Sequence, residues 1–253
     1  MISAKHFVLC LPVMLLCAAL YAQGGPQLSN MAFDQWHKSK GVWYPFAEGA
    51  APIWDTGNAG LHKVGLSCAT PEYEHVAVKG KGKAAARLES RKLAWAFIAG
   101  NLFNGRFIRL IDMKGVETEL GAPFSGRPKT LKGYYHYIPK NINFSKEPYK
   151  NMEGKPDEAL IEVILTDWDK PYRQISHIDG FIDPENDPHI IGIASTKIKK
   201  GTKGYVEFEL PFTYRSGKTP KYAVFTISAS RFGAWDTGAS GSVLYVDEFS
   251  FTY

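Results

Sequence analysis

The chain has 253 residues, with 30 Lys and Arg against 25 Asp and Glu for a net charge of +5. The basic residues are scattered, so the concentrated cationic face that nucleic acid requires is missing from the pattern. The length is ample for burying a core, either as one large β domain or as two small ones.

Residues 1–22 read as a secretory signal peptide: a cationic start from Met1 to His6, an apolar run from Phe7 to Ala19, and Leu20-Tyr21-Ala22 before Gln23. The apolar run is interrupted by Pro12 and falls short of the roughly 20 residues that span a bilayer, and no second such run follows. The expectation is an exported protein that does not span a membrane, placed in the periplasm, on the outer surface or outside the cell. Lipid attachment at Cys17 competes with this reading, but bulky Leu16 stands where a small residue is normally required. Cys10 and Cys17 leave with the signal. Cys68 is then the one remaining thiol, and no intramolecular disulfide can form.

From residue 23 to 253, short apolar or alternating segments recur between Gly, Pro, Asn and Asp, the rhythm of an antiparallel sandwich. The predicted strands in chain order are 33–37, 73–78, 85–93, 107–111, 131–138, 160–166, 190–195, 204–212, 221–230 and 243–253. In 204–212, Val206, Phe208, Leu210 and Phe212 share one face and Glu207 and Glu209 the other, which predicts one dry and one wet side. Segment 221–230 is apolar on both faces and reads as a central strand. Segment 156–165 could begin a helix at Pro156-Asp157-Glu158, but the β-branched Ile161, Val163 and Ile164 favour a strand. Trp95, flanked by alanines, is assigned to the core. The resulting fold class is all-β, a sandwich or jelly roll of about ten antiparallel strands, with aromatics at 13% of the chain to fill the space between two sheets.

Two polar connections, 141–157 and 167–188, are long enough to be functional. The second carries Asp167, Asp169, Asp179, Asp183, Glu185 and Asp187. In the last strand, Leu244 and Val246 share one face whereas Phe249 and Phe251 share the other, so the apolar phase switches at Asp247-Glu248. A bulge or a bound group produces such a switch. A hard cation such as calcium needs several oxygen ligands, which neighbouring terminal strands could supply through Asp34 and Asp247; alternatively these two carboxylates cap loops.

Loop aromatics form a second constellation. Trp-Asp-Thr-Gly occurs at 54–57 and again at 235–238, and Trp168 is followed by Tyr172. Sugar rings present apolar faces and hydroxyls, so aromatic platforms beside carboxylates suit them. The ligand-binding candidates are therefore Trp54, Asp55, Trp168, Tyr172, Trp235 and Asp236, with Trp54, Trp168 and Trp235 expected in exposed turns and a core position as the competing reading for each. Glycoside hydrolysis would need two carboxyl groups roughly 5–10 Å apart; Asp167 with Asp169, Asp179 with Asp183, and Glu158 with Glu162 are available, and none carries a signature. A lyase would need a Tyr or His base beside a cation. The Tyr134 to Tyr137 stretch invites that role or, alternatively, packing.

Taken together, Phe33-Asp34-Gln35-Trp36, Trp43-Tyr44-Pro45, Gly133-Tyr134-Tyr135-His136-Tyr137, Ser230-Arg231-Phe232-Gly233 and Gly241-Ser242-Val243-Leu244-Tyr245-Val246-Asp247-Glu248 resemble the putative carbohydrate metabolism domain family. That resemblance implies a jelly roll similar to carbohydrate-binding modules in exported proteins that handle glycans. It also implies a structural calcium where the first and last strands meet, at Asp34 and Asp247. The expected partner is an oligo- or polysaccharide. The leading expectation is glycan binding, with a glycoside hydrolase or polysaccharide lyase on the same scaffold, or a structural or adhesive surface module, as alternatives.

Overall fold

The structure, a computed structural model, describes residues 25–94, 96–111, 115–176 and 180–253. The expected signal peptide with Cys10 and Cys17, the core assignment of Trp95, and Asp179 lie outside these residues.

Strands follow one another as β1 (His37–Ser39), β2 (Val42–Tyr44), β3 (Trp54–Asp55), β4 (Ala69–Glu72), β5 (Ala85–Glu89) and β6 (Arg91–Leu93). Next come β7 (Ala96–Ile98), β8 (Asn101–Ile111), β9 (Gly115–Leu120), β10 (Ala122–Pro123), β11 (Thr130–Ile138) and β12 (Ala159–Thr166). The chain finishes with β13 (Tyr172–Ile175), β14 (Ile190–Ile198), β15 (Val206–Pro211), β16 (Thr213–Tyr214), β17 (Tyr222–Ser228) and β18 (Val243–Thr252). Two sheets dominate. One runs β13-β9-β8-β17-β12-β14-β16, with β10 beside β17 and β3 beside β8; the other runs β15-β11-β18-β5-β4. Every registered pair is antiparallel. Among the described residues, no helix is long and apolar enough to cross a membrane.

Alternation decides what each sheet buries. In β12, Ala159, Ile161, Val163 and Leu165 enter the core between the sheets, and in β17 Ala223, Phe225 and Ile227 do the same. They meet Leu131, Leu244, Val246, Phe249 and Phe251 from the facing sheet. β17 lies between β8 and β12, as its two apolar faces predict. Segment 156–165 supplies a central strand and no helix. In β15, Phe208 is buried while Glu207 and Glu209 are exposed, but Val206 is 40% exposed because β15 sits at the edge of its sheet.

Two expected strands are corrected. Residues 33–36 form no strand, because Phe33 turns the chain with φ +57 and plugs its ring between Trp54 and Phe249. Residues 73–78 are bends and coil, with Tyr73 57% exposed.

The phase switch in β18 is a bulge. Pairing with β11 slips between Lys132 and Tyr134, and Glu248 takes φ +54, a left-handed conformation unfavourable for a side chain with a Cβ. Before the bulge Tyr245 and Asp247 face outward; after it Phe249 and Phe251 face inward.

Candidate functional site

β12, β14 and β17 bring polar side chains to the outer face of the larger sheet. The residues of β12 that do not enter the core between the sheets are Leu160, Glu162, Ile164 and Thr166, and the register aligns Glu162 with Ser195 of β14 and Thr226 of β17. Half of this face is roofed. Ile164, Val224 and Phe103 lie beneath Trp168 and Ile190, with Tyr172, Ile182 and Ile193 packed around them. The roof is made by Trp168, Tyr172 and Ile182 of the connection after β12, with Ile190 at the start of β14. Trp168 and Tyr172 rings are 4.8 Å apart, and Trp168 Nε1 donates to Asp187 at 3.0 Å.

Beyond the roof the face turns polar. Ser195 Oγ donates to Glu162 at 3.0 Å. Burial pushes the Glu162 carboxyl above its ordinary range, opposed by that hydrogen bond and by the charges of Lys197 and Arg231. The Arg231 guanidinium is held 2.6 Å from Glu158, the residue preceding β12, and lies 4.6 Å over the Phe232 ring. Arg231 N also donates to the Glu158 carbonyl at 2.7 Å. One guanidinium thus ties Glu158 down and acts electrostatically on Glu162. Arg231 begins the loop that carries Trp235, which is partly exposed. Phe181 stacks on Trp235 at 4.7 Å and 13°, and Tyr149 meets it edge-on at 5.4 Å.

Behind this loop lies a fully buried polar network. Asp157 accepts hydrogen bonds from Ser230 Oγ at 2.5 Å and from Ala239 N at 2.9 Å, and Ser230 Oγ meets Ser90 Oγ at 2.7 Å. Burial raises Asp157 to about 6 despite these bonds. The network fixes the roots of the loops bearing Tyr149 and Trp235.

Comparison with known proteins gives the geometry a context. The sequence profile of the putative carbohydrate metabolism domain matches residues 32–252. The chain belongs to that family. It is similar to the crystal structure of a putative glycoside hydrolase from Bacteroides thetaiotaomicron VPI-5482, with a TM-score of 0.65 at 22% identity over 88% of this chain and 70% of that one. A putative glycoside hydrolase from Bacteroides vulgatus ATCC 8482 gives 0.60 at 21% identity, over 86% of this chain and 94% of that one. A carbohydrate-binding module specific for non-crystalline cellulose gives 0.37 at 13% identity, over 79% and 87%. At these identities the likeness is one of fold. No curated protein matches the chain.

Within this carbohydrate metabolism domain the expected site residues scatter. Trp54 is 1% exposed in the central core, donating from Nε1 to Ser29 O at 2.9 Å, so its expected exposure is corrected: Phe33 and Phe225 cover its ring. Asp55 is buried too, accepting from Thr56 N at 2.8 Å and Phe107 N at 2.7 Å, and burial raises it to about 6. Trp168 is 7% exposed as part of the roof, a second correction, while Tyr172 is half-buried beside it. Trp235 and Asp236 are partly exposed, with Asp236 paired to Lys146 at 2.6 Å. Of the six, Trp235 and Asp236 stand on the loop that begins at Arg231. Four of the described acidic residues of 167–188 are engaged within the protein: Asp167 pairs with Lys218 and His189, Asp169 with Lys221, Asp183 accepts from Glu185 N and Asn186 N, and Asp187 accepts from Trp168 Nε1. In 134–137, Tyr137 is wholly buried and His136 stacks on Tyr245 at 5.6 Å.

The sequence offered Glu162 as a partner of Glu158, and Ser195 carried no motif. A signal existed, because Glu162 interrupts the otherwise apolar Ala159-Leu160-Ile161 and Val163-Ile164-Leu165 of a central strand.

At the chain junction, Asp34 Oδ1 accepts from Lys83 N and, at 2.9 Å, from Ala84 N, while Asp247 Oδ2 accepts from Ala77 N at 2.7 Å. Both carboxylates pin the segment 77–84. Burial, with the charges of Glu248 and Asp34, raises Asp247 to about 6. Glu248 Oε2 pairs with Lys81 at 2.8 Å, whereas Oε1 is buried without a hydrogen-bond partner. A methyl group at Gly82, where φ is +74, would stand 2.9 Å from both Asp34 Oδ1 and Glu248 Oε1, so the two carboxylates converge there. Among the described residues, no three His, Cys, Asp or Glu side chains are grouped as a metal would require. Asp34 and Asp247 are thus both engaged by backbone N–H groups, and Glu248 Oε1 is the carboxylate oxygen left without a hydrogen bond where Asp34 converges.

Proposed function

We propose that this domain binds saccharide on the unroofed outer face of its larger sheet, at Glu162, Arg231 and Trp235, in an exported protein. The observation that carries the reading is Glu162: a carboxyl on a central strand, partly withdrawn from water and acted on by the charge of Arg231, whose loop leads on to the partly exposed indole of Trp235. Hydroxyl pairs of a sugar suit a carboxylate and a guanidinium as partners, and the apolar face of the ring suits Trp235. An export signal read in residues 1–22 would bring the domain to glycans outside the cytoplasm. The test is a glycan array with wild type and Glu162→Gln, in parallel with an assay for released reducing or unsaturated ends. Wild-type binding that falls at least about tenfold in the variant, roughly 1.4 kcal/mol, supports the site. Binding that the substitution leaves untouched sinks it, and newly released ends would make the domain an enzyme.

A second reading concerns stability, and rests on the orphaned Glu248 Oε1. A buried carboxylate oxygen without a partner is costly, and a calcium ion held between Asp34 and Glu248 would satisfy it in competition with Lys81. Melting in excess calcium and in chelator checks this. A rise in Tm of several degrees with calcium, abolished in Glu248→Gln, is expected; identical curves would leave Lys81 as the cation of that junction.

A further inference from the structure

The same face also constrains which part of a glycan can enter, and the constraint comes from its walls. At one end of the central strands stands the roof built on Trp168 and Tyr172. At the other end, where β17 has finished and β12 has yet to begin, stand Trp235 and Tyr149. Phe181 joins the two ends. It stacks on Trp235, and its carbonyl lies 3.5 Å from the hydroxyl of Tyr172 on β13, at the β9 side of the sheet. Three separate loops therefore meet in one aromatic bridge.

A groove that takes the interior of a polysaccharide must be open at both ends. Here the floor between the walls spans Ser195, Glu162 and Thr226 across three strands, about 10 Å at ordinary strand spacing, and the apolar roof packs on the Ile164 level without including Leu160. We infer that this is a dead-end alcove, open above and toward β14, that accepts the terminal one or two sugar units of a glycan and excludes internal segments. The inference rests on the saccharide-binding reading above and adds the mode of entry: recognition of chain ends.

The experiment uses the full chain and cello-, xylo-, manno- and galacto-oligosaccharides of one to six units, together with their parent polysaccharides before and after partial acid hydrolysis, which multiplies ends at constant mass. For whichever series binds in a Glu162-dependent manner, titration calorimetry should give a Kd that stays within about twofold from two units to six, since added units make no contact. Binding capacity per gram of polymer should rise with the number of ends. Phe181→Ala, which removes the middle of the bridge, should make the affinity depend on length. A Kd that tightens about tenfold or more between two and six units in the wild type, with Glu162 still required, overturns end recognition and leaves the site standing. Absence of any Glu162-dependent binding in all four series overturns the site reading and this inference with it.

Discussion

The tetrapeptide Trp-Asp-Thr-Gly at 54–57 and at 235–238 leads to two different structures. At 54–55 it is the short strand β3, paired to β8, with the indole between Phe33 and Phe225 and the carboxylate folded back onto Thr56 N and Phe107 N. At 235–236 it closes a short 3-10 turn: Asp236 adopts φ +50, its carboxylate reaches out to Lys146, and the indole stays partly exposed between Phe181 and Tyr149. The lesson concerns partners. β8 offers the first copy a free edge and two core rings, whereas the second follows β17 past the end of its sheet, where other loops are the available contacts.

The largest expected contrast comes from the tryptophans. Trp54→Ala empties a fully buried site and should cost about 3–5 kcal/mol of unfolding free energy, read by denaturant titration. Trp235→Ala should cost less than half as much while weakening saccharide binding. Equal losses of stability would mean that both indoles are core residues and would remove Trp235 from the site.

The first aspartate sharpens the comparison through pH. Asp55 keeps its proton up to about 6 in the fold but only to 3.8 when unfolded. Its contribution to stability is therefore complete below pH 3.8 and is lost as pH rises through about 6. The interval corresponds to something on the order of 3 kcal/mol. Asp157 and Asp247, also raised to about 6, act in the same window. Asp55→Asn should consequently flatten part of the fall in stability between pH 4 and 7. An unchanged profile would show that Asp55 titrates as it does in water.

The smallest effect separates the glycines. A methyl group at Gly57 would meet Asn101 Oδ1 at 3.8 Å, an ordinary contact, whereas at Gly238 it would stand 2.4 Å from the Phe97 ring and 2.8 Å from Ser230 Cβ. Gly57→Ala should be within about 0.5 kcal/mol of wild type, and Gly238→Ala should lose about 1–3 kcal/mol through overpacking. A tolerated Gly238→Ala would show that the turn behind Trp235 can yield.

The binding face was legible only in part. Glu158 with Glu162 was available in the sequence as a carboxylate pair, without a signature. What sequence spacing could not show is that Arg231, some 70 residues downstream, would lie against Glu158, because that contact depends on β17 pairing beside β12 and delivering its following loop to the start of β12. The same holds at the chain junction. The change of phase at Asp247-Glu248 announced a bulge, but Asp34 alone gave no hint that Gly82 would approach it and Glu248 together.

The sequence by itself determined the all-β class, the central position of β17 and the strand at 160–166, because period-two alternation and β-branching act over neighbouring residues and survive any tertiary arrangement. The tertiary structure alone decided which aromatics became core and which became rim. Burial of an indole is a property of what packs over it, and in this fold the covering residues come from strands and loops far away in the chain: Phe225 for Trp54, Asp187 and Tyr172 for Trp168, Phe181 and Tyr149 for Trp235.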